Sequence, residues 1–221
     1  MKLTTAEKYF ILLFSLLLII EIFASTSYPF LHYFAKPALV ISLIIFYGQC
    51  QKPISTRLKL LTIGALIFSL LGDILLMFVD QSEHFFTVGL VAFLTAHILY
   101  ILVFLKRRNV SKIPIIFCSI LAVYGAVLFY LLKDNLGAML LPVIIYMAVI
   151  LGMATAAYLR KGMVGKESYI LVFIGAILFM ISDSLLALNK FYEPLPYSNI
   201  SIMFTYAFAQ LSIVFGLLKQ R

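Results

Sequence analysis

The segment "IGAILFMISDSLLALN", residues 174–189, has the composition of the middle of a membrane-spanning helix and nevertheless contains an acid, Asp183. An ionised side chain at the centre of a bilayer costs about 2.5–3.5 kcal/mol on insertion scales, and intramembrane acids usually serve a function. Asp183 is therefore the first candidate functional residue, and the segment around it predicts a helical membrane protein.

The composition extends this prediction to the whole chain. Of 221 residues, 64% are hydrophobic and 12% are charged, and the mean hydropathy is +1.10. Soluble domains of this length do not have such a composition. We predict an all-α, polytopic membrane protein with a single transmembrane domain over residues 1–221. The short loops also favour function within the helical bundle or at its two surfaces.

Eight apolar segments are long enough, or nearly so, to cross about 30 Å of hydrocarbon. The first resembles a signal peptide, but Glu21 interrupts its apolar run and the cleavage signal is poor, which favours an uncleaved helix. The predicted transmembrane helices lie at about 8–24, 34–49, 58–79, 85–105, 113–132, 136–159, 168–190 and 199–219.

The basic residues indicate how the helices are oriented. Fourteen of the 17 Lys and Arg residues lie in the N-terminus, in alternate loops and in the C-terminal tail, and only Lys36, Lys133 and Lys190 lie on the other side. This bias predicts that both termini are cytoplasmic. The net charge of +8 therefore reflects topology and predicts no nucleic-acid partner. Cys50 and Cys118 have no metal-ligand spacing, so we expect reduced packing cysteines.

The two halves of the chain share a pattern. "IGALIFSLLGDILLM" (63–77) and "IGAILFMISDSLLAL" (174–188) both open with Ile-Gly-Ala and both reach a small residue, an aspartate and x-Leu-Leu. A one-residue slip separates the two parts of the match, and Asp73 precedes Asp183 by 110 positions, half of the chain. The third predicted helix therefore parallels the seventh.

Two weaker parallels support an internal repeat. Pro37 and Pro142 both fall in the first turn of a predicted helix, the second and the sixth, where proline is tolerated. His97 and Gln210 each stand nine positions before a lysine that closes the fourth and the eighth helix. These matches predict a parallel four-plus-four duplication, with chance similarity between apolar helices as the alternative.

The two aspartates are expected at the same depth. Each lies fifteen residues after the predicted start of its helix, about 22 Å along it, and the two helices run in the same direction. Small residues such as Ser69 and Gly175 surround them, as in faces where helices pack together. We therefore expect the carboxyls of Asp73 and Asp183 to approach each other in the core of the bundle.

A close pair of acids in a medium of low dielectric constant does not readily ionise twice. One carboxyl is then available as a proton donor, and the other acts as a base or stabilises positive charge. The residues do not decide which aspartate has which role. The alternative is that both acids bond to neighbouring hydroxyls for packing alone.

Six motifs, taken together and in order, resemble the YhhN-like lysoplasmalogenase family of multi-pass membrane hydrolases. The resemblance spans about residues 34–215. The motifs are Lys36-Pro37, "SLLGDILLM" (69–77), "GLVAFLTAHILYI" (89–101), "LPVIIYMAVILGMATAA" (141–157), "GAILFMISDSLLALNKF" (175–191) and "YAFAQLSIV" (206–214).

The resemblance implies hydrolysis of the vinyl ether bond of a lysoplasmalogen, a lysophospholipid, to a fatty aldehyde and a glycerophospho-alcohol. It also places the family's two essential aspartates at Asp73 and Asp183, with no metal or cofactor. Protonation of the β-carbon of a vinyl ether leaves an oxocarbenium ion, which water attacks, and the resulting hemiacetal collapses. One protonated and one ionised carboxyl suit this sequence of steps, by analogy with glycosidases.

Further polar residues are candidate substrate contacts. Lys36, at the outer mouth of the second predicted helix, is expected to hold the substrate phosphate, with an interfacial anchor as the alternative. Tyr206 is expected level with the aspartates, where its phenol can orient water. The remaining candidates have bonding between helices or simple packing as their alternatives, and they are His97, Tyr146, Asn189 and Gln210.

Two other functions compete with hydrolysis. A small-solute or proton-coupled transporter also uses repeats and buried acids, but no predicted helix is broken by proline in its middle. An intramembrane aspartyl protease is less favoured, because Leu70 replaces the first glycine of a Gly-x-Gly-Asp signature. The short loops and small size are typical of a protein of the bacterial inner membrane.

Overall fold

The computed structural model describes residues 3–49, 55–111 and 113–220, so Cys50 lies outside the described residues. Eight α-helices occupy this part of the chain, and all eight are long and apolar enough to cross a membrane. The prediction of an all-α, polytopic membrane protein is thereby confirmed. The helices are α1 (Thr5–Ser27), α2 (Pro29–Gln49), α3 (Thr56–Leu76), α4 (Glu83–Leu105), α5 (Ile115–Leu132), α6 (Leu140–Tyr158), α7 (Lys166–Phe191) and α8 (Ser198–Leu218).

The helices belong to two compact units, Met1–Leu99 and Tyr100–Arg221. The first unit contains α1, α2, α3 and most of α4. The second contains the end of α4 and α5 to α8, with two short 3-10 turns before α6. The single domain, the four-plus-four repeat and the cytoplasmic termini stay predictions.

In the first unit, local hydrogen bonds determine where α1 and α3 begin. Thr4 and Glu7 form a reciprocal capping box, with hydrogen bonds of 3.2 and 3.0 Å, so α1 starts before its apolar run. Ser55 caps α3 by accepting from the amide of Leu58 at 3.4 Å. Both caps satisfy amides that have no partner inside the helix.

The start of α2 differs from the prediction. Only Tyr28 separates α1 from α2, and α2 begins at Pro29, five residues before the predicted residue 34. Pro37 therefore lies inside the helix and not in its first turn, which corrects the sequence interpretation. Proline at the first helical position is favourable, which explains why Pro29 starts the helix. α2 continues through Pro37 without a break, as transmembrane helices can.

The closest helix packing in the second unit is between α7 and α8. A Cβ added at Gly175 of α7 would lie 2.8 Å from the carbonyl oxygen of Ala209, and one at Gly216 of α8 would lie 2.8 Å from the amide nitrogen of Val172. Small residues at such points allow helix backbones to approach closely in membranes. Ser168 also bonds across this contact, since its hydroxyl donates to the carbonyl of Gly216 at 2.7 Å.

One basic residue of the loop after α6 is part of the packed structure. Arg160 is 0% exposed, and its Nη2 donates to Ser168 Oγ at 3.2 Å and to Gln220 Oε1 at 3.0 Å. Its guanidinium lies 5.6 Å from the ring centroid of Phe104, within cation–π range. Arg160 therefore fastens the C-terminal end of α8. From the sequence alone, this residue served only as one of the basic loop residues that indicate the orientation of the helices.

We predict that Gly175→Ala destabilises the protein by about 1–3 kcal/mol, the usual cost of an added methyl group in a packed core. The backbone of α8 would have to move away from α7, since the contact is with a carbonyl oxygen. Thermal unfolding in detergent, followed by circular dichroism, measures the loss. Gly48→Ala is the matched control, because nothing lies within 4 Å of a Cβ there. Equal stability of both variants would contradict the prediction.

Candidate active site

Asp73 lies near the end of α3 in a solvent-excluded position. It is seventeen residues after Thr56, which corresponds to about 25 Å along the helix. The side chain is 2% exposed. The preceding residue, Gly72, allows close packing on α4, because a Cβ there would lie 2.5 Å from the ring of Phe93. The carboxyl is therefore buried within the protein and is not exposed on its surface.

One turn before Asp73, the hydroxyl of Ser69 is also buried. It is 0% exposed, and its Oγ has no hydrogen-bond partner in the described residues. A buried hydroxyl normally has a partner, since leaving it without one costs about 1–3 kcal/mol. Ser69 thus has an unused hydrogen-bonding group in the described residues. The sequence pattern showed it only as a small residue beside the acid.

The other candidates of the first unit lie on α2 and α4. Lys36 is half-buried and stands seven residues after Pro29, about 10 Å into α2. The prediction that it lies at the mouth of the helix is therefore wrong, because α2 begins earlier than its apolar run. His97 is 0% exposed on α4, so it is an interior residue. Substrate contacts by these two residues stay predictions.

Asp183 has a defined hydrogen bond in the second unit. It lies seventeen residues after the start of α7, as Asp73 does from the start of α3, and its side chain is half-buried. The hydroxyl of Tyr146, on α6, donates to Oδ2 of Asp183 at 2.5 Å. Hydrogen bonds of this length to a carboxylate are among the strong ones in proteins. Tyr146, a candidate substrate contact by sequence, therefore holds the candidate acid or base.

A second polar group of the same unit joins α4 to α8. The hydroxyl of Tyr100 donates to Oε1 of Gln210 at 2.7 Å, and Nε2 of Gln210 donates to the hydroxyl of Tyr206 at 3.4 Å. All three side chains are buried. Tyr206 also packs edge-on against Phe179, with ring centroids 5.3 Å apart. Gln210 thus bonds two helices together, and its contact with substrate stays a prediction.

Serines on both sides of Asp183 hold α7 in place. Ser182 donates to the carbonyl of Ile202 on α8 at 3.0 Å. Ser184 accepts from the hydroxyl of Tyr124 on α5 at 2.7 Å and donates to the carbonyl of Met180 at 2.7 Å. Together with Tyr146, these bonds attach α7 to three neighbouring helices around one aspartate. Rotation of α7, which would turn Asp183 away, would break all of them.

Asn189 has a structural bond in the loop that follows α7. Its Oδ1 accepts from the amide of Leu195 at 2.9 Å, which closes the turn between α7 and α8. Asn189 is therefore bonded through its carbonyl oxygen, and its role toward a head group stays a prediction. In the described part of the chain, no group of three or more His, Cys, Asp or Glu residues has the arrangement of a metal site.

Comparisons with known proteins place this arrangement in a family. The model of the YhhN family matches residues 31–217, which includes both aspartates and the residues around them. The chain belongs to the YhhN family. No solved structure matches this YhhN protein.

Curated relatives of this YhhN protein are named lysoplasmalogenases. It is 31% identical to "Lysoplasmalogenase TMEM86B" of Sus scrofa, over 79% of this chain and 70% of the relative. It is 32% identical to "Lysoplasmalogenase TMEM86A" of Bos taurus, over 71% and 64% of the two chains. It is 33% identical to "Lysoplasmalogenase TMEM86B" of Homo sapiens, over 71% and 62%. The matches thus cover about two thirds of the length of these relatives.

Proposed function

We propose that this YhhN protein is an integral-membrane hydrolase that cleaves the vinyl ether bond of lysoplasmalogens. The products are a fatty aldehyde and a glycerophospho-alcohol. The names of its relatives supply the reaction class, and the hydrogen bond between Tyr146 and Asp183 is the structural observation that carries the proposal. This bond supports the proposal because a donor on a neighbouring helix fixes the position of the carboxyl, as acid–base chemistry requires.

We assign the proton donor to Asp73 and the ionised carboxylate to Asp183. Asp73 is 2% exposed and lies in the last turn of α3, where the negative end of the helix dipole disfavours a second negative charge. Asp183 is half-buried, lies eight residues before the end of α7 and accepts the bond from Tyr146. In this proposal the transferable proton is therefore placed on Asp73 and the negative charge on Asp183.

The proposed reaction begins with transfer of the Asp73 proton to the β-carbon of the alkenyl chain. The ether oxygen then shares a positive charge with its neighbouring carbon, and the Asp183 carboxylate stabilises this cation. Asp183 removes a proton from a water molecule as that water attacks the same carbon. In the collapse of the hemiacetal, its hydroxyl proton passes to the Asp73 carboxylate, the bond from carbon to the glycerol oxygen breaks, and that oxygen takes the proton held by Asp183. Both carboxyls thereby return to their starting states. Water is the one co-reactant, and no electrons are gained or lost.

The transporter alternative is less favoured. The curated relatives of this YhhN protein carry the name of a hydrolase. In addition, α2 continues through Pro37, so proline does not break this helix in its middle. The short loops between the helices support a place in the bacterial inner membrane, which is part of this proposal.

We predict that Asp73→Asn and Asp183→Asn each reduce aldehyde release by at least about a hundredfold, since general acid–base catalysis contributes roughly 10²–10⁴ in rate. Purified variants in proteoliposomes, given lysoplasmenyl-ethanolamine, provide the measurement. Asp134→Asn is the matched control, because this acid is 82% exposed and lies between helices. Retained turnover in either intramembrane variant, with unchanged folding, would remove that aspartate from the mechanism.

We also predict that Tyr146→Phe lowers kcat by roughly 10- to 100-fold and changes KM little, because it removes one hydrogen bond to a charged group. Asp183 would remain in place but would lose its donor. Tyr124→Phe removes a hydroxyl from the neighbouring bond to Ser184 and is the matched control. If both phenylalanine variants retained full kcat, or lost it equally, Tyr146 would have no particular role at Asp183.

A further inference from the structure

A buried carboxyl and an imidazole join α1 to α2 in the first unit. Glu21 is 0% exposed, and its Oε1 lies 2.8 Å from Nδ1 of His32. The two atoms are in close electrostatic contact, although their angle falls short of that of a hydrogen bond. A carboxylate excluded from solvent is costly unless a complementary group lies beside it. Within residues 3–49, 55–111 and 113–220, His32 supplies that group.

The contact with Glu21 fixes one nitrogen of the His32 ring and leaves the other for a ligand. Nδ1 is buried against the carboxyl, whereas the side chain of His32 as a whole is 24% exposed. An imidazole whose Nδ1 faces a carboxylate is held in one orientation, and in the form that carries both ring protons its Nε2–H is left to donate to an anionic ligand. His32 is therefore a positioned polar group at the edge of a buried pair.

Lys36 adds a cation one helical turn after His32, on the same face of α2. Its side chain is half-buried, and none of the carboxylates in the described part of the chain lies within ion-pair distance of it. A cation within a membrane-spanning helix normally pairs with an anion. When His32 is protonated, Glu21, His32 and Lys36 together carry one positive charge, which an anion would balance.

An apolar groove borders the charged stripe that His32 and Lys36 form on α2. It has a volume of about 420 Å³ and is lined by side chains of α2, of α3 and of the residues just after α3, including Tyr33, Pro37, Ile74 and Met77. Tyr33 and Pro37 each follow a member of the charged stripe by one position, so the two stripes are neighbours on α2. Ile74 directly follows Asp73 in the chain. Charged and apolar surfaces thus lie side by side near the proposed acid.

We propose that His32 and Lys36 bind the phosphate of the lysophospholipid substrate, and that the adjoining groove binds the first part of its alkenyl chain. Glu21 is a positioning residue that holds the His32 ring. This inference rests on the proposed function and adds to it two residues, His32 and Glu21, and the apolar part of the site. An amphiphile with an anionic head matches the charged stripe and the adjoining apolar groove together, whereas a free phosphate matches only the stripe and an uncharged lipid matches only the groove.

Binding of two lipids that differ only in the phosphate-bearing head group tests the inference. The ligands are a 1-O-alkyl lysophosphoethanolamine, whose saturated ether is not hydrolysed, and the corresponding 1-O-alkylglycerol. Titration of the full chain in maltoside micelles, which contain no phosphate, gives a Kd for each. We expect His32→Gln and Lys36→Gln each to weaken binding of the phospholipid by about tenfold or more, as for a lost bond to a charged group. Binding of the alkylglycerol should not change.

Lys133→Gln is the matched control, since this lysine is 42% exposed and lies outside the stripe. Unchanged phospholipid binding in His32→Gln and Lys36→Gln would overturn the inference, and so would an equal loss for both lipids. Inorganic phosphate should compete with the phospholipid far more weakly than the intact lipid does. Competition by inorganic phosphate at the affinity of the lipid would show a phosphate site without a lipid groove and would also overturn it.

Glu21→Gln separates positioning from simple structural support. If Glu21 holds the His32 ring, this variant weakens binding of the phospholipid and leaves that of the alkylglycerol unchanged. A purely structural contact between α1 and α2 would instead lower thermal stability or weaken both lipids alike, and this result would contradict the positioning role. The saturated ligands are not cleaved, so binding is measured independently of turnover. Aldehyde release with unaltered phosphate binding in all three variants would reject this inference and leave the proposed function intact.

Discussion

Hydrocarbon offers no hydrogen bonds, so a polar side chain within a membrane-spanning helix must find its partner inside the protein. The bond from Tyr146 to Asp183 satisfies this requirement in the second unit. The contact of Glu21 with His32 does so in the first unit. Each pairing brings an acid on one helix to a side chain on another. The same constraint that makes these acids costly therefore also joins α6 to α7 and α1 to α2.

The pairings make the geometry of α7 depend on several neighbouring helices at once. Ser182 bonds to α8, Ser184 to α5 and Asp183 to α6, all within three consecutive residues. The close contact at Gly175 brings α8 against α7 about two turns before Asp183. A helix held on three sides presents its acid in one direction. Such rigidity is what acid–base catalysis needs, because proton transfer tolerates little misplacement.

Sequence reasoning recovered the helices because twenty apolar residues are a strong signal, whereas the ends depend on local chemistry. α1 begins at its capping box, and α2 begins at Pro29 among residues that carry little apolar periodicity. This early start moved Lys36 and Pro37 about two turns into the helix. Arg160 was counted as a loop charge, because its burial arises from contacts with Phe104, Ser168 and Gln220 that no local pattern shows.

The candidate site was predictable in part for a similar reason. An aspartate in an apolar helix stands out on grounds of cost alone, so both acids were found from the sequence. Their partners were harder to find, since the chain has 13 tyrosines and only the packing of α6 on α7 selects Tyr146 for Asp183. His32 does not lie within a long apolar run, so its polarity did not stand out in the sequence. Glu21 served in the sequence only to argue against a signal peptide.

The central claim is that a carboxyl of this chain delivers a proton to the β-carbon of the alkenyl chain. The rate of a single turnover of lysoplasmenyl-ethanolamine by the reconstituted protein, measured in H₂O and in D₂O at matched acidity, tests it most directly. The acid exchanges its proton with solvent, so the account predicts clearly slower aldehyde release in D₂O, because the transferred hydrogen is in motion in the step that forms the cation. Equal rates in the two solvents would contradict proton transfer to carbon in the slow step and exclude the mechanism.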